Sequence, residues 1–134
     1  MMASIRTRDT RPELIVRRHL HGLGFRYRLT HRDLPGKPDL VLPKYGAVIF
    51  VHGCFWHGHA GCRFATVPGT HTEFWVNKIA ANRARDRLKE TQLRGLGWRI
   101  AVVWECALKA EREATLHQLV AFIRTERNVI EIAG

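Results

Sequence analysis

The 134-residue chain is 46% hydrophobic and 25% charged, ordinary values for one globular domain with its own core. No apolar run approaches the roughly 18 residues of a membrane span and no basic-then-apolar leader opens the chain, so neither a membrane span nor secretion is expected, and a cytoplasmic protein is. Lys and Arg total 22 against 12 acids, and the formal net charge of +10 favours a polyanionic partner, nucleic acid ahead of an anionic membrane.

Residues 1–9 show no apolar period and carry Arg6 and Arg8, which predicts a flexible basic arm. Residues 10–134 read as a single domain. Thr10-Arg11-Pro12-Glu13 is a helix start, with Thr10 as cap, Pro12 in the first turn and Glu13 closing a capping box. Leu14, Ile15, Leu20 and Leu23 supply an apolar stripe, and Gly22 and Gly24 end the helix. Phe25, Tyr27 and Leu29 then alternate with Arg26, Arg28 and Thr30, the period of a half-exposed strand.

After a loop through Pro35-Gly36, Pro38-Asp39-Leu40-Val41-Leu42-Pro43 reads as a short strand. Lys44-Tyr45-Gly46 turns the chain, and Ala47-Val48-Ile49-Phe50-Val51 returns as the second arm of a hairpin. The loop that follows is about twenty residues long, a length that calls for a functional or metal-bound reason. A long helix is predicted over 72–94, densely charged over 82–90 and ended by Gly95-Leu96-Gly97. A strand follows over 98–105. From Ala107 a helix carrying Leu108, Leu116, Leu119, Val120 and Ile123 runs to near Arg127, leaving a short apolar tail. This order predicts an α/β fold, a small mixed sheet flanked by helices.

Residues 53–62, Gly-Cys-Phe-Trp-His-Gly-His-Ala-Gly-Cys, carry two of the three cysteines. An odd count suits cytosolic metal binding better than a disulfide scaffold. Cys54, His59, Cys62 and Cys106 make a Cys3His set that closes the tetrahedral shell of a structural zinc, with Cys106 predicted at a strand end. The spacing is not a CxxC pair, His57 could replace His59, and three buried thiols acting as small apolar residues are the less favoured alternative. Asp39, at the mouth of one strand beside another, matches the layout of metal-dependent nucleases, where Mg2+ takes hard oxygen ligands. The Asp/Glu-x-Lys usual on the second strand is missing, since Val51-His52-Gly53 stands there. Phe55 and Trp56, adjacent large rings in a Gly-rich loop, are candidates for stacking on bases. Trp75, Lys78 and Asn82 are spaced along one helix face. The arginines at 6, 8, 11, 83, 85 and 87 are suited to phosphate.

Taken together, these segments resemble the very short patch repair (Vsr-type) DNA mismatch endonucleases, divergent relatives of the restriction-endonuclease-like nucleases. The resemblance runs from about Met2 to Leu108. It rests on Thr10-Arg11-Pro12-Glu13, Leu34-Pro35-Gly36-Lys37-Pro38-Asp39, Ile49-Phe50-Val51-His52-Gly53-Cys54-Phe55-Trp56-His57, Thr72-Glu73-Phe74-Trp75, Arg85-Asp86, Leu96-Gly97-Trp98 and Val102-Val103-Trp104-Glu105-Cys106. It implies a restriction-endonuclease-like core with a structural zinc, and nicking of one strand of double-stranded DNA 5′ to the thymine of a T·G mismatch left by 5-methylcytosine deamination. By the same resemblance Asp39 holds the catalytic Mg2+ together with the main-chain carbonyl of Val51, and His57 is the general base. His52 and Glu13 hold metal-bound waters, and the zinc set takes His59 rather than His57. Phe55, Trp56 and Trp75 form an aromatic wedge, Lys78 and Asn82 face the DNA groove, and Met2 approaches the mismatch. The His59-to-Cys62 spacing is one residue longer than in the family pattern. A monomer is expected, with mismatch-repair and repair-synthesis proteins as partners.

Overall fold

The computed structural model describes residues 10–29 and 34–134, so Met2 and the basic arm lie outside the described residues. Helix α1, Arg11–Gly22, starts on Thr10, whose Oγ1 accepts the Glu13 amide hydrogen at 3.4 Å. A cap of this kind stabilises a helix by about 1 kcal/mol. Its buried line is Glu13, Val16 and Leu20, one turn-by-turn row, while Leu14 and Ile15 are half-buried and Leu23 is exposed. The predicted stripe shares Leu20 with this row, and half-buried Ile15 packs against the same core, whereas Glu13 and Val16 were not named for it.

The strand expected over residues 25–30 does not form in its described part, 25–29. Phe25 donates its amide back to Leu20 at the helix end, and only Arg28 meets the sheet, exchanging two 2.8 Å bonds with Val41. A buried Phe25 packed edge-on against Tyr45 reproduces part of the alternating pattern without a ladder.

Four strands form one sheet in the order β1-β2-β3-β4. Strand β1, Leu40–Leu42, and strand β2, Ala47–His52, are the antiparallel hairpin. They are joined through Pro43–Tyr45 and Gly46, whose φ of 60° suits glycine. Strand β3, Arg99–Trp104, runs parallel to β2 with Val51 opposite Val103 and His52 opposite Trp104. Helix α2, Thr72–Gly95, forms the long charged crossover between them. The remaining segment differs from expectation in three ways. Cys106 lies not at a strand end but in the first turn of helix α3, Glu105–Ala110. The chain breaks at Glu111 before helix α4, Arg112–Arg124, where one helix was expected. The supposed tail is strand β4, Val129–Ile132, parallel to β3. An edge strand so short, with Glu131 inside it, carries little β signal.

Both sheet faces are covered. Leu40, Leu42, Ile49, Val51, Ala101 and Val103 pack against α1, α3 and α4, and Val41, Val48, Phe50, Ile100 and Val102 pack towards Leu93 of α2 and the 53–65 loop. Arg99 locks the end of α4 by donating to the carbonyls of Phe122, Ile123, Thr125 and Arg127. The result is an α/β fold with a mixed sheet flanked by helices, of the restriction-endonuclease-like kind. Among the described residues no helix is long and apolar enough to cross a membrane.

Candidate active site and metal centre

The end of β2 and the start of β1 meet at one rim of the sheet, and α2 passes over it. Asp39 precedes β1, and its Oδ2 accepts the Val51 amide hydrogen at 2.6 Å, tying the carboxylate to the neighbouring strand. Burial pushes the Asp39 carboxyl up to about 7; the Val51 bond pulls it down, Glu13 pushes it up, and His57 and Arg17 pull it down. A half-buried carboxylate with one strong donor is short of positive charge, and its hard oxygens fit a divalent cation. Asp39, Val51, His52, His57, Asp86 and Glu90 are among the residues lining a cleft of about 160 Å³. Glu13 faces an adjoining hollow that also touches Val51, His57 and Asp86. Its carboxylate bonds Arg17 at 3.2 Å.

His52 and His57 stack with ring centroids 3.8 Å apart and planes within 2°. His57 Nδ1 lies 2.6 Å from Asp86 Oδ2. A carboxylate can only accept, so Nδ1 carries the proton and Nε2 is left as the basic nitrogen. His52 is buried, and burial and then the charge of His57 hold its pKa down to about 3, so its ring is neutral. Its Nδ1 has no hydrogen-bond partner among the described residues. The ligand atoms of His52, His57 and Asp86 lie within 4.8 Å of one another. Two parallel rings, however, aim their in-plane lone pairs side by side and not at a common point. With His57 Nδ1 held by Asp86, the trio can pass a proton through the His57 ring.

Two residues beyond His57 the chain serves a second centre. Gly58 takes a φ of +58°, and a Cβ there would lie 2.3 Å from Ile79 Cγ2, so the loop presses against α2 at a place only glycine fits. This turn sends His57 towards Asp86 and His59 towards the thiols. The donor atoms of Cys54, His59, Cys62 and Cys106 lie within 4.8 Å of one another, and all three cysteines are free. Cys106 Sγ is 3.4 Å from His59 Nδ1. Burial pushes the Cys54 thiol up. Burial also works upward on Cys62, but main-chain bonds from Phe64 and Ala65 and the two neighbouring thiols outweigh it and leave that thiol below its usual range. Three thiols and an imidazole brought together so closely can hold a metal ion.

Phe55, Trp56 and Trp75 gather into one edge-to-face cluster, with centroids 5.2, 5.5 and 5.9 Å apart. Asn82 Nδ2 donates to the Trp56 carbonyl at 3.0 Å, so this amide braces the aromatic loop. Exposed Lys78 lines the hollow beside Trp56, with Asn82 and Arg85.

The sequence profile described as "DNA mismatch endonuclease Vsr" matches residues 1–63. A type II nicking enzyme of Xanthomonas oryzae pv. oryzae, V.XorIIP, is 54% identical over 108 residues, 81% of this chain and 79% of that protein. The DNA mismatch endonuclease Vsr of Escherichia coli is 47% identical over 114 residues, 85% of this chain and 72% of that protein. The type II nicking enzyme V.NmeAIP of Neisseria meningitidis is 47% identical over 109 residues, 81% and 77% respectively. This chain belongs to the Vsr family. It is a DNA endonuclease.

Sequence reading of this Vsr protein assigned no role to three side chains that the structure sets at its centres. Asp86 lies one turn beyond Asn82 on α2, so extending the Trp75–Lys78–Asn82 face would have reached it. Its place among Arg83, Arg85 and Arg87 disguised it as part of a solvated charge run. Trp104 read as core, and Glu131 gave no signal because β4 was not seen.

Proposed function

We propose that this Vsr endonuclease nicks one strand of duplex DNA 5′ to the thymine of a T·G mismatch, leaving an end for mismatch-repair and repair-synthesis proteins. The observation that carries the reading is the convergence of Asp39, His57 and Asp86 on one cleft, with the His57 Nδ1 proton committed to Asp86 at 2.6 Å. His57 Nε2 is the general base: it takes the proton of the attacking water as that water's oxygen bonds to phosphorus and the ester bond opposite breaks, the sugar oxygen leaving with a proton from water. Asp86 fixes the tautomer and steadies the imidazolium once it forms. His52, buried and neutral, backs the ring of His57 and keeps its plane. Asp39 and the Val51 carbonyl would hold Mg2+, with His52 and Glu13 towards its waters; the ion supplies positive charge and Lewis acidity at the scissile phosphate. A carboxyl raised to about 7 is partly protonated near neutral pH, and a divalent cation held there would displace that proton to water.

Cys54, His59, Cys62 and Cys106 would hold a structural zinc, since three thiolates and one imidazole form a closed set with no place for substrate. The loop tied down by that set presents Phe55 and Trp56, and α2 adds Trp75. Their cluster would enter the stack beside the mismatch, where a mispair costs less to unstack. Lys78 and Asn82, the latter bracing the Trp56 loop, are assigned to the groove, Met2 to the mismatch side, and the net charge of +10 would serve the phosphates.

The test uses end-labelled duplexes that differ only in one T·G or T·A pair, incubated with Mg2+. A single nick 5′ to the mispaired thymine is expected. Equal cleavage of the paired duplex, or cutting of both strands, refutes the assignment.

A further inference from the structure

Trp104 closes β3 and stands between the two centres. One face of its indole lies flat against His59, with centroids 4.0 Å apart and planes within 8°. His52 meets the indole edge-to-face at 5.0 Å, and His57 follows at 6.4 Å. One ring therefore backs both the imidazole of the thiol set and the stacked pair that handles the proton. The indole N–H donates to Glu131 Oε2 at 2.7 Å. An indole has a single donor and no acceptor, so this bond is the only polar restraint that can fix its rotation. A charged acceptor makes it strong.

Glu131 is an exposed residue of an edge strand, opposite Val102 in the ladder. At such a position a side chain ordinarily contributes little. Here its carboxylate shares a cavity of about 320 Å³ with His52, His57, His59 and Asp86. The same stretch of chain reaches the thiols as well. Gly134 donates its amide to Cys106 Sγ at 3.3 Å, and a Cβ on it would lie 2.8 Å from the Cys106 carbonyl oxygen.

We propose that Glu131 is a positioning residue for both centres. By pinning the Trp104 indole, it sets the plane of His59 for the metal and the orientation of the His52–His57 stack for proton abstraction. The inference rests on the roles given above to His57 and to the cysteine set. Neither centre is then independent of the other, since both lean on one ring held from β4.

The experiment compares wild type, Glu131→Ala and Glu131→Gln as full chains with matched thermal stability. Three quantities are read: transfer of zinc to a chromogenic chelator, single-turnover nicking of a T·G duplex against pH, and the ring resonances of His52, His57 and His59. Glu131→Ala is expected to speed zinc transfer and to lower the nicking rate, each by roughly 10- to 100-fold, with DNA affinity unchanged. Its pH–rate midpoint should move, and the histidine resonances should shift together. Glu131→Gln keeps an acceptor for the indole and should restore most of both. Wild-type values for Glu131→Ala in either zinc transfer or nicking overturn the proposal, as does a glutamine variant no better than alanine. Should wild type hold no zinc or nick nothing, the reading of function fails. The resonances then still decide the coupling: unmoved histidines overturn it, and concerted shifts uphold it.

Discussion

Replacing Asp39 by asparagine should abolish nicking while making the protein more stable in neutral and alkaline buffer free of Mg2+. Burial carries this carboxyl from 3.8 to about 7. At about 1.36 kcal/mol per unit, keeping it ionised in the folded state costs at most about 4 kcal/mol. Asp39 keeps partial contact with solvent, and screening brings the figure to roughly 1–2 kcal/mol, a Tm gain of roughly 3–10 °C for asparagine. The sign follows from proton uptake. Below about pH 4 the carboxyl is protonated folded or unfolded, and nothing is lost. Between about 4 and 7 the folded chain binds a proton the unfolded chain has released, so stability falls as pH rises. Above 7 the full cost is present. His52, held down to about 3, works in the opposite direction, since stability is lost as pH falls from about 6.5 towards 3. The wild-type curve blends the two slopes, and the difference between the two proteins isolates Asp39. Thermal unfolding across pH 4–9 is the assay, repeated with Mg2+, which should raise the wild-type Tm above pH 7 and leave the asparagine variant unchanged. A gap between the proteins that does not vary with pH, or an asparagine variant less stable at pH 8, refutes the reasoning.

Three further outcomes are expected. Asp86→Asn, which leaves the His57 tautomer uncommitted, should slow single-turnover nicking by roughly 10²–10⁴-fold with little change in DNA affinity. Folded protein should carry about one zinc per chain by metal analysis, and Cys54→Ser should lose it along with several kcal/mol of stability; zinc-free, well-folded wild type contradicts the Cys3His assignment. Trp56→Ala should narrow the preference for T·G over T·A duplex by roughly tenfold or more in competition cleavage, because stacking on a base is worth about 1–3 kcal/mol.

The hairpin was legible because two prolines bracket Leu40–Leu42 and Gly46 reverses the chain. Helix α2 was legible because Gly95 and Gly97 end it where its charge pattern stops. The Cys3His grouping was legible as composition, but which imidazole joined it depended on the turn at Gly58, where contact with Ile79 of α2 sends His57 and His59 to opposite sides. The false strand over residues 25–29 arose because one buried ring and one bridging arginine imitate a period of two. Strand β4 depends on long-range packing: Arg99 gathers the carbonyls at the end of α4, and Glu131 reaches across to Trp104. Local propensity carries none of that information. Asp86 was within reach of the Trp75–Lys78–Asn82 face, but its pairing with His57, like that of Glu131 with Trp104, could be named only after the chain had folded them together.

His57 is the proposed base for activating water in the cleft it shares with Asp39. Single-turnover cleavage and equilibrium binding of a T·G duplex by His57→Ala test this most directly. The variant should bind with affinity close to wild type, nick at least roughly 10²-fold more slowly, and regain rate when free imidazole is added. Wild-type cleavage by His57→Ala would contradict it.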